Sequence, residues 1–239
     1  MRKGMVAAFW LIFWQAAALM VGKPMLFASP VATFQALLAL LPQGNFWLTV
    51  VSSLGRIALG FFLAFVAGTV IGGIAWRFPL VKTLLSPALT FMKTVPVASF
   101  VILVLVWFGS AKLSVIVCFL IVFPQIYFAA ISGLEAADVQ LLEMAKVFRF
   151  TPWQVFLEIY RPSMQRFLTS ACSSALGMSW KSGIAAEVIG TPAHSIGEAM
   201  YLSKVYMMTA ELFAWTLVVI GLSILFEKSV LALLRKAGG

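Results

Sequence analysis

The stretch DVQLLEMAKVFRFTPWQVFLEIYRP, residues 138–162, is the longest polar interval in an otherwise strongly apolar sequence. Asp138 can cap a first helix. The apolar side chains of that helix recur at helical spacing: Leu141, Leu142, Ala145 and Phe148. Residues 151–154 (TPWQ) match a capping box with proline at the first helical position, which predicts a second helix. Pro162 is expected to stop that helix or to start the next one. The stretch is therefore either a surface for a protein partner or an ordinary interfacial loop.

The composition around this stretch is that of an integral membrane protein, with 62% hydrophobic and 10% charged residues. Its net charge of +9 does not indicate nucleic-acid binding, because the basic residues lie at the ends of apolar segments rather than in one patch. Cys118 and Cys172 lie within apolar segments and are expected to be buried free thiols. We therefore expect an all-α integral membrane protein in which residues 1–239 form one transmembrane domain.

Six segments predict membrane-spanning helices: 5–21, 49–76, 84–108, 114–131, 167–190 and 211–233. The first could be a signal peptide, but its length favours a retained span. An amphipathic helix over 31–41 is expected outside the membrane. Pro96 is expected to kink the third span, because proline leaves a backbone carbonyl without its helical partner.

The basic residues predict the orientation of these spans. Of the 17 Lys and Arg residues, Arg56 and Lys181 fall within spans, and the topology puts twelve of the others on one side and three on the other. The positive-inside rule then predicts that both termini and residues 138–162 are cytoplasmic. Arg56 is expected to extend towards the interface, with a role in a solute pathway as the alternative.

Two of the predicted spans carry a distinctive pattern. In the second span, small residues recur every fourth position and predict close packing against another helix: Gly60, Ala64, Gly68 and Gly72. The fifth span is the least apolar, and its polar side chains indicate either helix packing or a water-filled path. The candidate path residues are Ser170, Ser173, Ser174, Gly177, Trp180, Lys181 and Glu187.

The sequence lacks the residues of an independent catalyst. It contains no G-x-x-x-x-G-K-[ST] motif for nucleotide phosphates, and its single histidine, His194, has no Cys or His neighbours at metal-ligand spacing. We therefore expect no catalytic residue, no metal site and no cofactor bound by this chain.

Residues 138–162 also resemble the EAA loop of ABC-importer permeases, in which E-A-A, three residues, glycine, nine residues and I-x-L-P follow one another. Glu143 starts the E-A-A at the same spacing, and Pro162 ends the I-x-L-P. Three residues depart from the family pattern: Met144, Arg149 and Arg161. Arg149 stands where the family has glycine, which serves a tight turn. Residues 29–37, 91–96 and 180–190 resemble other parts of the nitrate/sulfonate/taurine-type permeases, which are subunits of binding-protein-dependent type I importers.

The resemblance implies the six-helix type I ABC importer permease fold, with alternating access driven from outside the chain. It implies a second permease copy, two cytoplasmic ABC ATPase subunits that bind ATP and Mg, and an extracytoplasmic substrate-binding protein. It also implies a multi-pass location in the lipid of a prokaryotic plasma membrane. The residues that it assigns to ATPase coupling are Glu143, Ala145, Lys146, Arg149, Thr151 and Trp153.

The resemblance leaves the solute open among sulfonates, nitrate and aromatic or pyrimidine precursors. Met178 stands where the family usually has arginine, so solute specificity does not transfer. Two other functions fit the residues alone. One is a secondary transporter that uses Lys181 and Glu187, and the other is a membrane scaffold without a solute path.

Overall fold

A computed structural model of the chain describes residues 2–236. The described part does not include the side chains of Arg2 and Lys3, two of the basic residues assigned to the cytoplasm. The described chain is helical throughout. Its elements are α1 (Arg2–Val21), α2 (Pro30–Leu40), α3 (Gly44–Arg77), α4 (Pro79–Thr94), α5 (Val97–Phe108), α6 (Leu113–Glu135), α7 (Val139–Val147), α8 (Pro152–Val155), a π-helical turn (Phe156–Tyr160), α9 (Arg161–Gly190), α10 (Ile196–Val205) and α11 (Thr209–Lys236).

Within residues 2–236, four helices are long and apolar enough to cross a membrane, namely α1 from Gly4 onwards, α3, α6 and α11. Helices α4 and α5 reach that length and hydropathy only together. Helix α9 has the length, at 30 residues, but its serines and charged residues make it less apolar. These features are those of a multi-pass membrane protein.

The predicted third span is broken at Pro96 into two helices, where a kink within one helix was expected. Helix α4 ends at Thr94, Val95 is extended at φ −70° and ψ 131°, and α5 begins after Pro96. The two helices are bent by 106° at this break. Proline disfavours a helical conformation in the residue before it and supplies no amide hydrogen, so the helix breaks here. Pro87 lies inside α4 without ending it.

The core is built from α3, α6 and α9. The four small residues of α3 are buried, and they face α6. A Cβ added at Gly60 would lie 2.5 Å from the carbonyl oxygen of Val115, and one at Gly68 would lie 2.9 Å from the Cβ of Ile126. The backbones of α3 and α6 are therefore in direct contact, which only a smooth helix face allows.

The remaining helices surround this core. Helices α10 and α11 pack on α9, and α2 packs on α11. Helix α1 is peripheral, since none of its apolar stretch Gly4–Val21 is buried, and it is attached through Trp14, which donates to the Ala28 carbonyl at 3.0 Å. Cys118 and Cys172 are buried free thiols, as predicted.

Candidate functional site

The polar stretch forms a hairpin of two short helices, α7 and α8. The Asp138 carboxylate accepts the amide hydrogen of Gln140 at 2.8 Å, which confirms the predicted N-cap. Thr151 and Gln154 form the predicted capping box. The Thr151 side chain accepts from the Gln154 amide at 3.3 Å, and the Thr151 amide donates to the Gln154 side-chain oxygen at 2.8 Å. We call residues 138–155 the α7–α8 hairpin.

The turn between the two helices depends on Arg149, which adopts a left-handed conformation at φ +53°. The Phe150 amide donates to the Ala145 carbonyl at 2.9 Å, and the Arg149 amide donates to the Lys146 carbonyl at 3.1 Å. This pair of bonds is a Schellman motif, in which the left-handed residue is usually glycine. Arginine therefore makes the same tight turn as glycine, at a conformational cost.

The hairpin has a small core of its own. Ala145, which is 2% exposed, lies with Ile159 and Ala137 in this core, and Leu142 and Phe150 cover it. The side chain of Ala145 is therefore not available to a partner, although the resemblance assigns it to ATPase contact. The alanine instead lets the hairpin close on itself.

The outer surface of the hairpin is mixed polar and apolar. Glu143 and Lys146 are exposed, as are Arg149 and Thr151. Among large apolar side chains, Leu141 is 43% exposed, and Val147, Phe148 and Trp153 are each at least 66% exposed. Leu141 and Phe148 thus differ from Leu142 and Ala145, with which the helical spacing had grouped them. Several exposed apolar side chains with charges beside them are typical of a protein interface.

The hairpin continues into α9 without a break. Residues on both sides of the π turn Phe156–Tyr160 have right-handed helical dihedral angles, and the Arg161 amide donates to the Phe156 carbonyl, five residues back. Pro162 is the second residue of α9, where its missing amide hydrogen and its ring are accommodated by the wider π turn. The helix from Pro152 to Gly190 therefore spans about 58 Å.

One face of α9 is polar and accessible. Ser170, Ser174 and Lys181 are exposed, and Gly177 lies half-buried on the same face, with nothing within 4 Å of an added Cβ. The spacing of four, three and four residues puts them in one line along the helix. The structure therefore brings together four of the seven candidate path residues.

The other three candidates point away from this face. Ser173 is half-buried and donates to Glu227 of α11 at 2.7 Å. Trp180 is buried and packs edge-on against Phe226, with ring centroids 6.2 Å apart. Glu187 is fully buried among α3, α6 and α10. Lys181 and Glu187 therefore lie in different surroundings, as their spacing predicts.

The Glu187 carboxylate is the centre of a buried polar cluster. Ser53 donates to Oε2 at 2.6 Å, Ser114 donates to Oε1 at 3.2 Å, and the Gly197 amide donates to Oε2 at 3.3 Å. The Arg56 guanidinium lies 3.7 Å from Oε1. A buried charge needs such partners, because burial without them is costly.

This cluster also holds the loop before α10. Ser53 accepts the amide hydrogen of Ile196 at 2.9 Å, and Arg56 donates to the Ala193 carbonyl at 3.0 Å. A Cβ added at Gly197 would lie 2.3 Å from the Cβ of Glu187, so α10 rests directly on α9. The expectation that Arg56 extends to the interface holds only in part, since its side chain is 22% exposed but is turned towards these partners. Sequence reasoning missed the serines and Gly197, and the only signal was a lone carboxylate in an apolar span.

The sequence matches the model of the family described as "Binding-protein-dependent transport system inner membrane component" over residues 60–236. The chain belongs to this family. It is 24% identical to the taurine transport system permease protein TauC of Escherichia coli, over 98% of this chain and 86% of that protein. It is 26% identical to the putative aliphatic sulfonates transport permease protein SsuC of Bacillus subtilis, over 77% of this chain and 67% of that protein. It is 28% identical to the bicarbonate transport system permease protein CmpB of Synechocystis, over 66% of this chain and 56% of that protein.

Membership of this family gives the protein a general role. It is a multi-pass inner-membrane permease subunit of an ABC importer, and it has no catalytic site of its own because ATP hydrolysis belongs to partner ATPase subunits. ATPase and substrate-binding partners follow from the same membership.

Proposed function

We propose that the α7–α8 hairpin of this permease receives the ATPase and that the polar face of α9 lines the solute path. The observation that carries this proposal is the unbroken helix from Pro152 to Gly190, which joins the exposed surface to the candidate path. A displacement of the hairpin is thereby passed to α9 along one continuous helix. ATP and Mg would be held by the partner, and this chain would supply the docking surface.

We further propose that two copies of the chain enclose the path. The polar face of α9 is exposed in the single chain and carries Lys181, an ionisable residue within a predicted span. Such residues face a protein interior or a water-filled cavity rather than lipid. A second copy would cover this face from the opposite side and give a central polar route.

We propose six spans with cytoplasmic termini, in which α9 is the fifth span and the broken pair α4–α5 is the third. The asymmetry of the basic residues supports this orientation. It places the α7–α8 hairpin on the cytoplasmic side, where an ATPase can reach it.

We propose a small anion as the solute. The names of the relatives support this class, since taurine, aliphatic sulfonates and bicarbonate all carry a sulfonate or carboxylate-like anionic group. The cation of Lys181 on the polar face of α9 supports it as well.

Charge reversal on the hairpin tests the coupling. In vesicles that contain the complete importer, we expect Glu143→Lys to abolish transport-coupled ATP hydrolysis and solute uptake, because the new charge lies on the docking surface. Insertion of the chain should be normal, since Glu143 is exposed and is not part of the hairpin core. Measurements of ATPase rate and uptake, with membrane content assessed by immunoblot, give the answer.

A matched control is Glu211→Lys, the same charge reversal in the first turn of α11 and outside the predicted contact set. It should retain coupling. Normal coupling in Glu143→Lys, or equal loss in both variants, would refute the assignment of the hairpin surface.

A further inference from the structure

A groove of about 650 Å³ lies between α9 and α11, at the end of α9 that adjoins the π turn. It is lined by polar side chains from one stripe of α9 and by the last turns of α11. The polar residues that line it are Gln165, Arg166, Thr169, Ser170, Ser173 and Arg235. The groove therefore combines two cations, three hydroxyl groups and an amide in one cavity, and Ser170 connects it to the polar face of α9.

The two arginines of the groove have no ion-pair partner among the described residues. Both are exposed, and neither Arg166 nor Arg235 makes a hydrogen bond or an ion pair with another residue in the part of the chain between 2 and 236. Two positive charges on facing helices repel each other, and their fields add within the cleft. The cavity is thus positive, with guanidinium donors left unused.

A carboxylate near the groove is engaged elsewhere. Glu227 of α11 accepts the hydroxyl hydrogen of Ser173 at 2.7 Å. It forms no ion pair with Arg166 or Arg235 within the described residues. The Glu227 carboxylate, which lies beside the hydroxyl groups, therefore offsets only part of the positive charge of the groove.

We infer that this groove binds an oxyanion, such as a sulfonate, sulfate, phosphate or carboxylate group, between Arg166 and Arg235. The planar guanidinium fork matches two oxygens of such a group, and the Thr169 and Ser170 hydroxyls can donate to the others. The site deepens the proposed function. It rests on that function in one respect, the source of the anion, since a transported anion would meet this site at the hairpin end of α9. The same chemistry also fits the headgroup of an anionic lipid.

The test is a binding measurement with inorganic sulfate as the probe. The full permease, assembled with its ATPase, is placed in nanodiscs of phosphatidylcholine, and binding of radiolabelled sulfate is measured at equilibrium. We expect Arg166→Gln and Arg235→Gln each to weaken binding by about tenfold or more, because each removes a charge-assisted contact. Lys236→Gln is the matched control, since it removes the same charge one residue beyond the groove and should bind as the unmodified chain does.

A second pair of variants predicts a gain. Glu227→Gln removes a negative charge beside the groove and can still accept from Ser173, so we expect sulfate to bind about twofold more tightly or better. Glu211→Gln makes the same change in net charge at the other end of α11 and should leave binding unchanged. A structural role for Glu227 alone would not produce tighter binding.

The source of the oxyanion is decided in a second arm with nanodiscs that contain phosphatidylglycerol. If this lipid displaces sulfate and is retained in an arginine-dependent way, the occupant is a headgroup. If it does not compete while the transported anion does, the occupant is the solute. Either result supports the site. Absence of saturable sulfate binding, or equal weakening by Lys236→Gln, overturns it.

Failure of the site and failure of the proposed function are distinguishable. Sulfate binding that depends on Arg166 and Arg235 would stand even if the reconstituted importer moved no anion. Conversely, anion uptake that is coupled to ATP but unaffected by both variants, with no sulfate bound, would remove the site and leave the permease function.

Discussion

The turn of the α7–α8 hairpin gives a quantitative test of how an arginine replaces glycine. Arg149 has φ +53° and holds the Schellman bonds that end α7. The informative perturbation is a pair of variants, Arg149→Gly and Arg149→Ala. Both remove the guanidinium, but only glycine removes the Cβ that crowds the following carbonyl in the left-handed region.

The expected difference in turn stability between the two variants follows from two opposing free-energy terms. A left-handed conformation costs a residue with a Cβ roughly 1–2 kcal/mol. Glycine avoids this cost but loses about 0.5–1 kcal/mol more conformational entropy when the hairpin becomes ordered. The net difference is about 0.75 kcal/mol in favour of Arg149→Gly over Arg149→Ala, which is about three- to fourfold in the equilibrium constant for local opening.

Amide hydrogen exchange reports this opening directly. The Phe150 amide, bonded to the Ala145 carbonyl at 2.9 Å, exchanges only when the turn opens. After correction for intrinsic rates, we expect exchange at Phe150 to be about three- to fourfold slower in Arg149→Gly than in Arg149→Ala. ATPase affinity should fall equally in both variants if the Arg149 guanidinium contacts the partner.

Equal exchange in the two variants, or faster exchange in the glycine variant, would refute the reasoning. It would mean that the backbone at this position is not left-handed or that the hairpin is not held by these bonds. A difference in ATPase affinity between the two variants would show that turn geometry, and not the guanidinium alone, decides docking.

Two further predictions concern the stability of the helical core, measured as thermal unfolding in detergent. Gly60→Ala should destabilise the protein by about 1–3 kcal/mol, because its Cβ would lie 2.5 Å from a backbone oxygen of α6. Its control is Gly73→Ala, whose Cβ would have nothing within 4 Å and which should be neutral or stabilise by about 0.4–1 kcal/mol. Equal effects of the two variants would contradict direct contact between α3 and α6. Ser53→Ala should cost about 2 kcal/mol or more, because it leaves the Ile196 amide without its acceptor and the buried carboxylate without a donor. Ser52→Ala, which removes a hydroxyl with no hydrogen-bond partner among residues 2–236, is its control, and similar losses in both would argue against the cluster.

Local signals in the sequence were sufficient for the hairpin. Asp138 and the capping box at 151–154 depend on residues within one turn of each other, so their geometry can be inferred without the fold. The stripe from Gly60 to Gly72 predicts a smooth face on α3, but the sequence does not say which helix it meets. That partner, α6, is set by the tertiary structure.

Longer-range features could not be read in the same way. The break at Val95 was expected as a kink, because a proline pattern alone does not distinguish a bent helix from two helices. The partners of Glu187 are separated from it by 134 residues for Ser53 and 73 for Ser114, and nothing local connects them. Ala145 shows the same limit, since the helical spacing grouped it with Phe148, yet one is buried and the other exposed.

The two ends of the helix from Pro152 to Gly190 are fixed in different ways, and this bears on how the permease works. One end closes the hairpin core through Val155 and Ile159, and the other is tied by Glu187 to the Gly197 amide at the start of α10. Between them, the π turn is the one segment with altered helical hydrogen bonding, so bending is least costly there. We therefore expect motion of the hairpin to reach α10 as a tilt of α9 about this turn, because a carboxylate buried among three donors and a guanidinium does not let the far end slip.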